Sequence, residues 1–212
     1  EIVDELLREA KRNQTFYTVG HVLYVAACLD FILGRFDRAL SNIAKLCDSE
    51  TRETPFYERE LAEALKARIL LERGDVHRAL ADLRALEAKV TQKHWPYQMC
   101  IIKLYICEIL LRLNELPEAV HYAKNALRLA KAMAAVPLQG YGHLLLGLIY
   151  SPVRDIDGFI GSRYPNGPSS WVDASMAIKE LTEACRVAEP SFYADVQWRA
   201  HAELSRILRL LP

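Results

Sequence analysis

Three segments of this 212-residue chain superimpose at a fixed step of 40 residues. Gly34, Gly74 and Asn114 share one register, Phe36, Val76 and Leu116 a second, and Ala39, Ala79 and Ala119 a third. Ala27, Ala67 and Cys107 form a fourth register of small residues. A fixed period of this length is the signature of a stacked array, in which no unit can bury its apolar face except against its neighbours.

The period is built from helices. Nearly every segment repeats its apolar residues at helical spacing rather than alternating as a strand does. The pattern predicts helices near 2–12, 15–33, 36–48, 55–73, 75–90, 96–113, 116–135, 138–150, 172–188 and 191–211. Gly34 and Gly74 suit a helix C-terminus, where a left-handed residue is wanted. Asp75 suits the start of the next helix. Pro55, Pro117 and Pro190 suit a first helical turn, where the missing N–H costs nothing. The helices therefore come in pairs with a tight turn inside each pair. The small residues of both helices let the paired backbones approach closely.

Composition narrows the class. Hydrophobic residues make up 51%, enough for a core, and Lys plus Arg equals Asp plus Glu at 27 each. A zero formal charge argues against a general nucleic-acid binder, which needs excess cation to neutralise phosphate. Cys28, Cys47, Cys100, Cys107 and Cys185 are an odd number without short-loop pairing and read as free thiols of a reducing compartment. The densest apolar run, Ile101 to Leu111, is broken by Lys103 and Glu108 and is too short to span a bilayer. An intracellular protein, cytoplasmic or nuclear, is expected. The chain opens in a helical pattern without Met and is expected to be a piece of a longer protein.

Motifs for chemistry do not emerge. Gly158 to Gly161 follows no strand and is not a dinucleotide fingerprint. His94, Cys100 and Cys107 lack the close ligand pairs of structural zinc. His21, His77, His94, His121, His143 and His201 are scattered over different helices, and most are expected to be solvated or at the core edge. Glu58, Glu60 and Glu63 read with Arg59 and Lys66 as a solvated, salt-bridged helix face. No catalytic residue, metal or cofactor is assigned.

The sequence of small residue, Gly or Asn, apolar residue, Ala and apolar residue resembles the tetratricopeptide repeat. Leu146-Gly147-Leu148-Ile149-Tyr150 comes closest to that repeat's Leu-Gly-x-x-Tyr signature. The period here is longer than the family's, so the extra residues must lengthen the helices or the connections between pairs. The resemblance implies an all-α, right-handed superhelical solenoid of antiparallel helix pairs, a single domain over 1–212. The pairs fall at about 15–53, 54–93, 94–135 and 137–188, and a final helix at 191–211. The first helix, 2–12, and that last helix lack a partner helix, so both ends invite a neighbour or self-association.

One interruption breaks the register. The residue matching Ala119 in the fourth pair is Ala177, 58 positions on, which is 18 more than the period. The insertion occupies 151–170 and carries Phe159 and Tyr164, with Trp171 just after it. It is expected to pack on its own array or to meet a partner, since insertions in repeat proteins gather on one face.

In the family the first helices of the pairs line a concave groove. The resemblance places Tyr24, Arg68, Glu108, Arg112, Tyr141 and Arg206 there, beside His21, Cys28, Leu61, Ala64, Leu71, Ile101, Leu104, Leu144, Arg199 and Ala202. Tyr24 and Tyr141 can anchor a peptide, and Arg68 and Arg112 can clamp carboxylates. A non-catalytic scaffold for protein–protein interaction is expected, with a protein or peptide partner and neither nucleic acid nor membrane. The interrupted fourth pair is loosely similar to the C-terminal repeats of scaffold subunit five of the anaphase-promoting complex. A regulatory module binding a small effector, similar to the helical-repeat domains of bacterial transcription activators, is the alternative. An enzyme is the third class.

Overall fold

The structure, a computed structural model, describes residues 16–48, 57–151, 173–188 and 194–209, with Glu5, Arg8, Glu9 and Arg12. Among the described residues every regular element is an α-helix: α1 Phe16–Ile32, α2 Phe36–Asp48, α3 Tyr57–Glu72, α4 Val76–Lys93, α5 Pro96–Arg112, α6 Leu116–Ala132, α7 Val136–Tyr150, α8 Ala174–Ala188 and α9 Ala194–Leu208. These match the expected helices to within a few residues. Most of the expected helix at 2–12 lies outside the described residues, as does the insertion with Phe159, Tyr164 and Trp171. The chain divides into two compact units, 1–93 and 94–212. In the first, α1 packs on α2 and α3, α2 on α3, and α3 on α4. In the second, α5 packs on α6 and α7, α6 on α7, α7 on α8 and α9, and α8 on α9.

The periodic turn explains how one helix hands over to the next. Gly34, Gly74 and Asn114 all have positive φ, at 69°, 85° and 61°. Glycine has no Cβ to clash there, and Asn is the side chain that tolerates the region best. The reversal satisfies carbonyls that a helix end would leave open. Gly34 N–H donates to Phe31 O at 2.9 Å, and Arg35 N–H donates to Asp30 O at 2.7 Å. Asp75 N–H to Leu70 O and Glu115 N–H to Leu110 O repeat the second bond, each at 2.9 Å. This is the Schellman pattern of helix termination. The same residues start the next helix. The carbonyls of Arg35, Asp75 and Glu115 accept the N–H groups of Ala39, Ala79 and Ala119, each at 3.0 Å. Asp75 thus opens α4 through its main-chain carbonyl.

A second series of turns joins one pair to the next. His94 and Ala134, also 40 apart, have φ of 53° and 51°. Ala135 N–H donates to Ala130 O at 2.9 Å, and the Ala135 carbonyl accepts from Gln139 N–H at 3.1 Å. Helices α5 and α6 have 17 residues each. Three-residue turns follow both of them, so in this pair the long period lies in helix length and not in slack connections.

The fourth pair keeps the closing bond despite its interruption. Tyr150 occupies the register of Asp30, Leu70 and Leu110. Its carbonyl accepts the N–H of Asp173 at 3.0 Å, and the Asp173 carbonyl accepts from Ala177 N–H at 2.8 Å. Asp173 Oδ1 also accepts from Met176 N–H at 3.0 Å, a side-chain cap. Asp173 therefore stands where residue 155 would stand in an uninterrupted repeat, 18 positions earlier. The chain departs after Tyr150 and rejoins the same turn.

Close packing within each pair rests on the small-residue register. Ala27, Ala67 and Cys107 are buried, and Gly147 continues the series on α7. Facing Gly147 on the second helix is Leu181, and facing Cys107 is Ala123. A Cβ on Gly147 would lie 2.5 Å from Leu181 Cγ and 2.6 Å from Cδ2. Where the first helix carries the larger Cys107, the second carries Ala123, whose main chain hydrogen-bonds the sulfur. Bulk on one side is matched by smallness on the other. Gly147→Ala is therefore expected to destabilise the chain by about 1–3 kcal/mol through overpacking. Adding Leu181→Ala should make the double variant's loss smaller than the sum of the two single losses, measured by urea unfolding.

Candidate interaction surfaces

The first helices of the pairs bring their polar side chains together within each unit. On α1 and α3, Tyr24 hydrogen-bonds the Cys28 side chain, one turn away. Arg68 reaches from α3 to lie 5.2 Å from the centroid of the Phe31 ring, a cation–π distance. Burial pushes the Cys28 thiol above its ordinary range, and Tyr24 and Arg68 partly offset that.

In the second unit Glu108 is only 2% exposed. It accepts a 2.6 Å hydrogen bond from the Tyr141 hydroxyl. Arg199 Nη2 approaches its other oxygen at 4.0 Å. The residues belong to α5, α7 and α9, so three successive first helices converge on one buried carboxylate. Burying that charge is tolerable only because it is paired and hydrogen-bonded. Arg206 donates to Glu203 Oε2 at 3.0 Å, and Glu203 Oε1 accepts from the buried Ser151 hydroxyl. Arg112 is half-buried in the last turn of α5.

Several expectations need correction. Leu61, Ala64, Leu71, Ile101, Leu104 and Leu144 are core residues, and with the equally buried Glu108 they offer a groove almost no surface. The reason is plain on α5, where 11 of 17 residues are buried. A helix packed between neighbours has more than one core face, so helical spacing alone does not isolate the exposed one. Glu58 and Glu60 are not on a solvated face either, being 1% and 2% exposed. Glu60 pairs with Lys93 at 2.8 Å and Lys89 at 3.5 Å, and Glu63 takes Lys89 at 3.3 Å. Arg59, assigned to that face, donates instead to Cys47 O at 2.9 Å. Glu58 faces His21 Nδ1 at 3.6 Å.

The sequence reading missed a cleft on the opposite side of α7. Helices α6 and α8 flank it, leaving a cavity of about 680 Å³ lined by Lys124, Leu127, Lys131, His143, Leu146, Lys179, Glu180, Thr182 and Glu183. His143 is buried, not solvated, and its Nδ1 lies 2.6 Å from Glu180 Oε2. A carboxylate can only accept, so Nδ1 carries the proton. Nε2 is buried and meets no hydrogen-bond partner among the described residues. Glu183 takes Arg186 through two bonds, at 2.6 and 2.7 Å, and this pairing holds its carboxyl below the usual range. One signal was available: Lys124, Leu127 and Lys131 share a face of α6 at helical spacing. The facing wall is displaced by the 18 extra residues, which hides the match.

The cysteines behave as packing residues. All five are free, and Cys100 and Cys107 are buried. Burial raises Cys100 from 9.0 to about 11, with a main-chain hydrogen bond from α6 opposing. Burial pushes Cys107 up further, helped by the neighbouring Glu108 charge. No group of three or more His, Cys, Asp or Glu residues suited to a metal ion occurs among the described residues. No helix there is long and apolar enough to cross a membrane. No protein-family model matches the chain, and no curated protein matches it at a significant level.

Two measurements check this geometry. Tyr141→Phe leaves a lone pair of the buried Glu108 without its donor and should lower stability by about 1–3 kcal/mol, read by chemical denaturation. Cys100 and Cys107 should stay unreactive to a thiol reagent near neutral pH and react once the chain is unfolded. The folded thiol of Cys100 holds its proton more tightly than the unfolded one. Its contribution to stability is therefore present below about pH 9 and falls away as pH rises toward 11. A shallower alkaline fall in Cys100→Ala is the expected signature.

Proposed function

We propose that the chain is a non-catalytic protein–protein interaction scaffold, a tetratricopeptide-like array forming a right-handed superhelix of antiparallel helix pairs. Support for the architecture comes from the repeated turn and from the pattern of neighbours. First helices of adjacent pairs pack directly, α1 on α3, α5 on α7 and α7 on α9. The second helices α2 and α4, or α6 and α8, are not among the closely packed pairs. Such asymmetry curves an array so that its first helices lie inside. The observation that carries the functional reading is Glu108, held by Tyr141 with Arg199 beside it. The polar groups of that face are fixed before any partner arrives, which lowers the ordering cost of binding. The partner would be a peptide segment or a partner subunit, received on the first-helix face, through the 151–170 insertion or at the open ends.

A regulatory module binding a small effector is the second reading. The cavity beside α7 favours it, because its volume lies in the range of small-ligand sites. Exposed lysines at its rim, in place of an enclosing apolar wall, favour the scaffold.

Affinity purification with mass spectrometry from native cells separates the two. The scaffold predicts a defined protein partner whose recovery falls with Arg68→Ala and Arg112→Ala combined. A co-purifying metabolite without any protein partner would overturn it. Partner recovery unchanged in the double variant would move the interface to the insertion or the ends.

A further inference from the structure

The cleft between α6 and α8 has a charge pattern that nothing in the first-helix face requires. Three ammonium groups rim it: Lys124 and Lys131 on α6, and Lys179 on α8. All three residues are exposed. The two carboxylates of the lining are already engaged, Glu180 by the buried His143 and Glu183 by Arg186. Arg186 offsets the charge of Glu183, while Glu180 keeps its charge and is held by a hydrogen bond. Counting Arg186, four Lys and Arg side chains stand beside two carboxylates, an excess of two positive charges.

The floor is different in kind. Leu127 and Leu146 are 9% and 3% exposed and lie between the lysines. Lys124 and Lys131 are two helical turns apart, about 10 Å along α6. A ligand that satisfies both features carries an apolar group for the leucines and negative charge on either side of it.

We infer that this cleft is a docking site for an acidic peptide segment of a partner protein, one bulky apolar residue seated on Leu127 and Leu146 and flanking carboxylates on Lys124, Lys131 and Lys179. Charge complementarity selects this occupant. A neutral apolar segment would leave the lysine rim without a counter-charge, and a bare polyanion would leave the leucine floor unused. The site lies across α7 from the face carrying Glu108 and Tyr141, so it can fail or hold independently of the scaffold reading.

The test is fluorescence anisotropy with the whole chain and a short fluorescein-labelled peptide, two glutamates on each side of a central phenylalanine. Expected are saturable binding that weakens with salt and a loss of about 10-fold or more in Lys124→Glu combined with Lys179→Glu. That variant changes only exposed residues, and an unchanged urea midpoint confirms its fold. The matched change Lys45→Glu with Lys66→Glu, on exposed lysines of the first unit, should leave affinity unaltered. Replacing the phenylalanine by serine should weaken binding clearly. The inference is overturned if the peptide does not bind, or if Lys124→Glu with Lys179→Glu leaves its affinity unchanged. It is equally overturned if the serine peptide or a single-stranded oligonucleotide of equal charge binds as tightly at the same lysines, since the cleft would then be a general anion surface.

Discussion

One main-chain hydrogen bond sets the spacing on which the rest of the packing depends. The residue after each left-handed turn position donates its N–H to a carbonyl five residues back, as Arg35 does to Asp30 and Glu115 to Leu110. The same residue's own carbonyl then opens the next helix. A single residue therefore ends one helix and starts another, leaving no free length for the pair to slide. Register is fixed by the backbone, and the side chains need only agree with it.

Agreement is visible where the paired helices cross. Small residues at Ala27, Ala67, Cys107 and Gly147 allow close approach, and the partner helix supplies whatever volume is left over. Leu181 fills what Gly147 leaves open, while Ala123 yields to Cys107. Cores of this kind are close-packed, so a change on one helix is felt on the other. The carboxylate of Glu108 follows the same logic in polar form. It is nearly fully buried, and Tyr141 and Arg199 reach it from two further helices. Truncating one partner of such a group costs more than a surface ion pair is worth.

Much of this is legible in the sequence because backbone constraints leave strong marks. Gly34, Gly74 and Asn114 announce the left-handed turns, and the displacement of Ala177 measures the insertion at 18 residues. The closing bond from Asp173 to Tyr150 agrees with that measurement. Other features leave no such mark. Ala134 and His94 adopt left-handed φ without being Gly or Asn, because the helices on either side dictate it. Buried Glu60 is met by Lys89 and Lys93 from a neighbouring helix and buried Glu58 by His21 from another, contacts that local charge spacing cannot reveal. The lysine-rimmed cleft draws its walls from α6 and α8, separated in sequence by α7 and the insertion. Sites assembled from non-adjacent helices become visible only once the helices are packed.

The chain thus combines a regular frame with one tolerated excursion, and the frame holds because the turn closes as though the excursion were absent. Backbone hydrogen exchange measures that closure directly, amide by amide. The N–H groups of Asp75, Glu115 and Ala135 should be protected, and Asp173 should be protected with them. Exchange of Asp173 at the rate of an unstructured amide, beside protected Asp75 and Glu115, would contradict it. The fourth pair would then not be joined by the turn that organises the others.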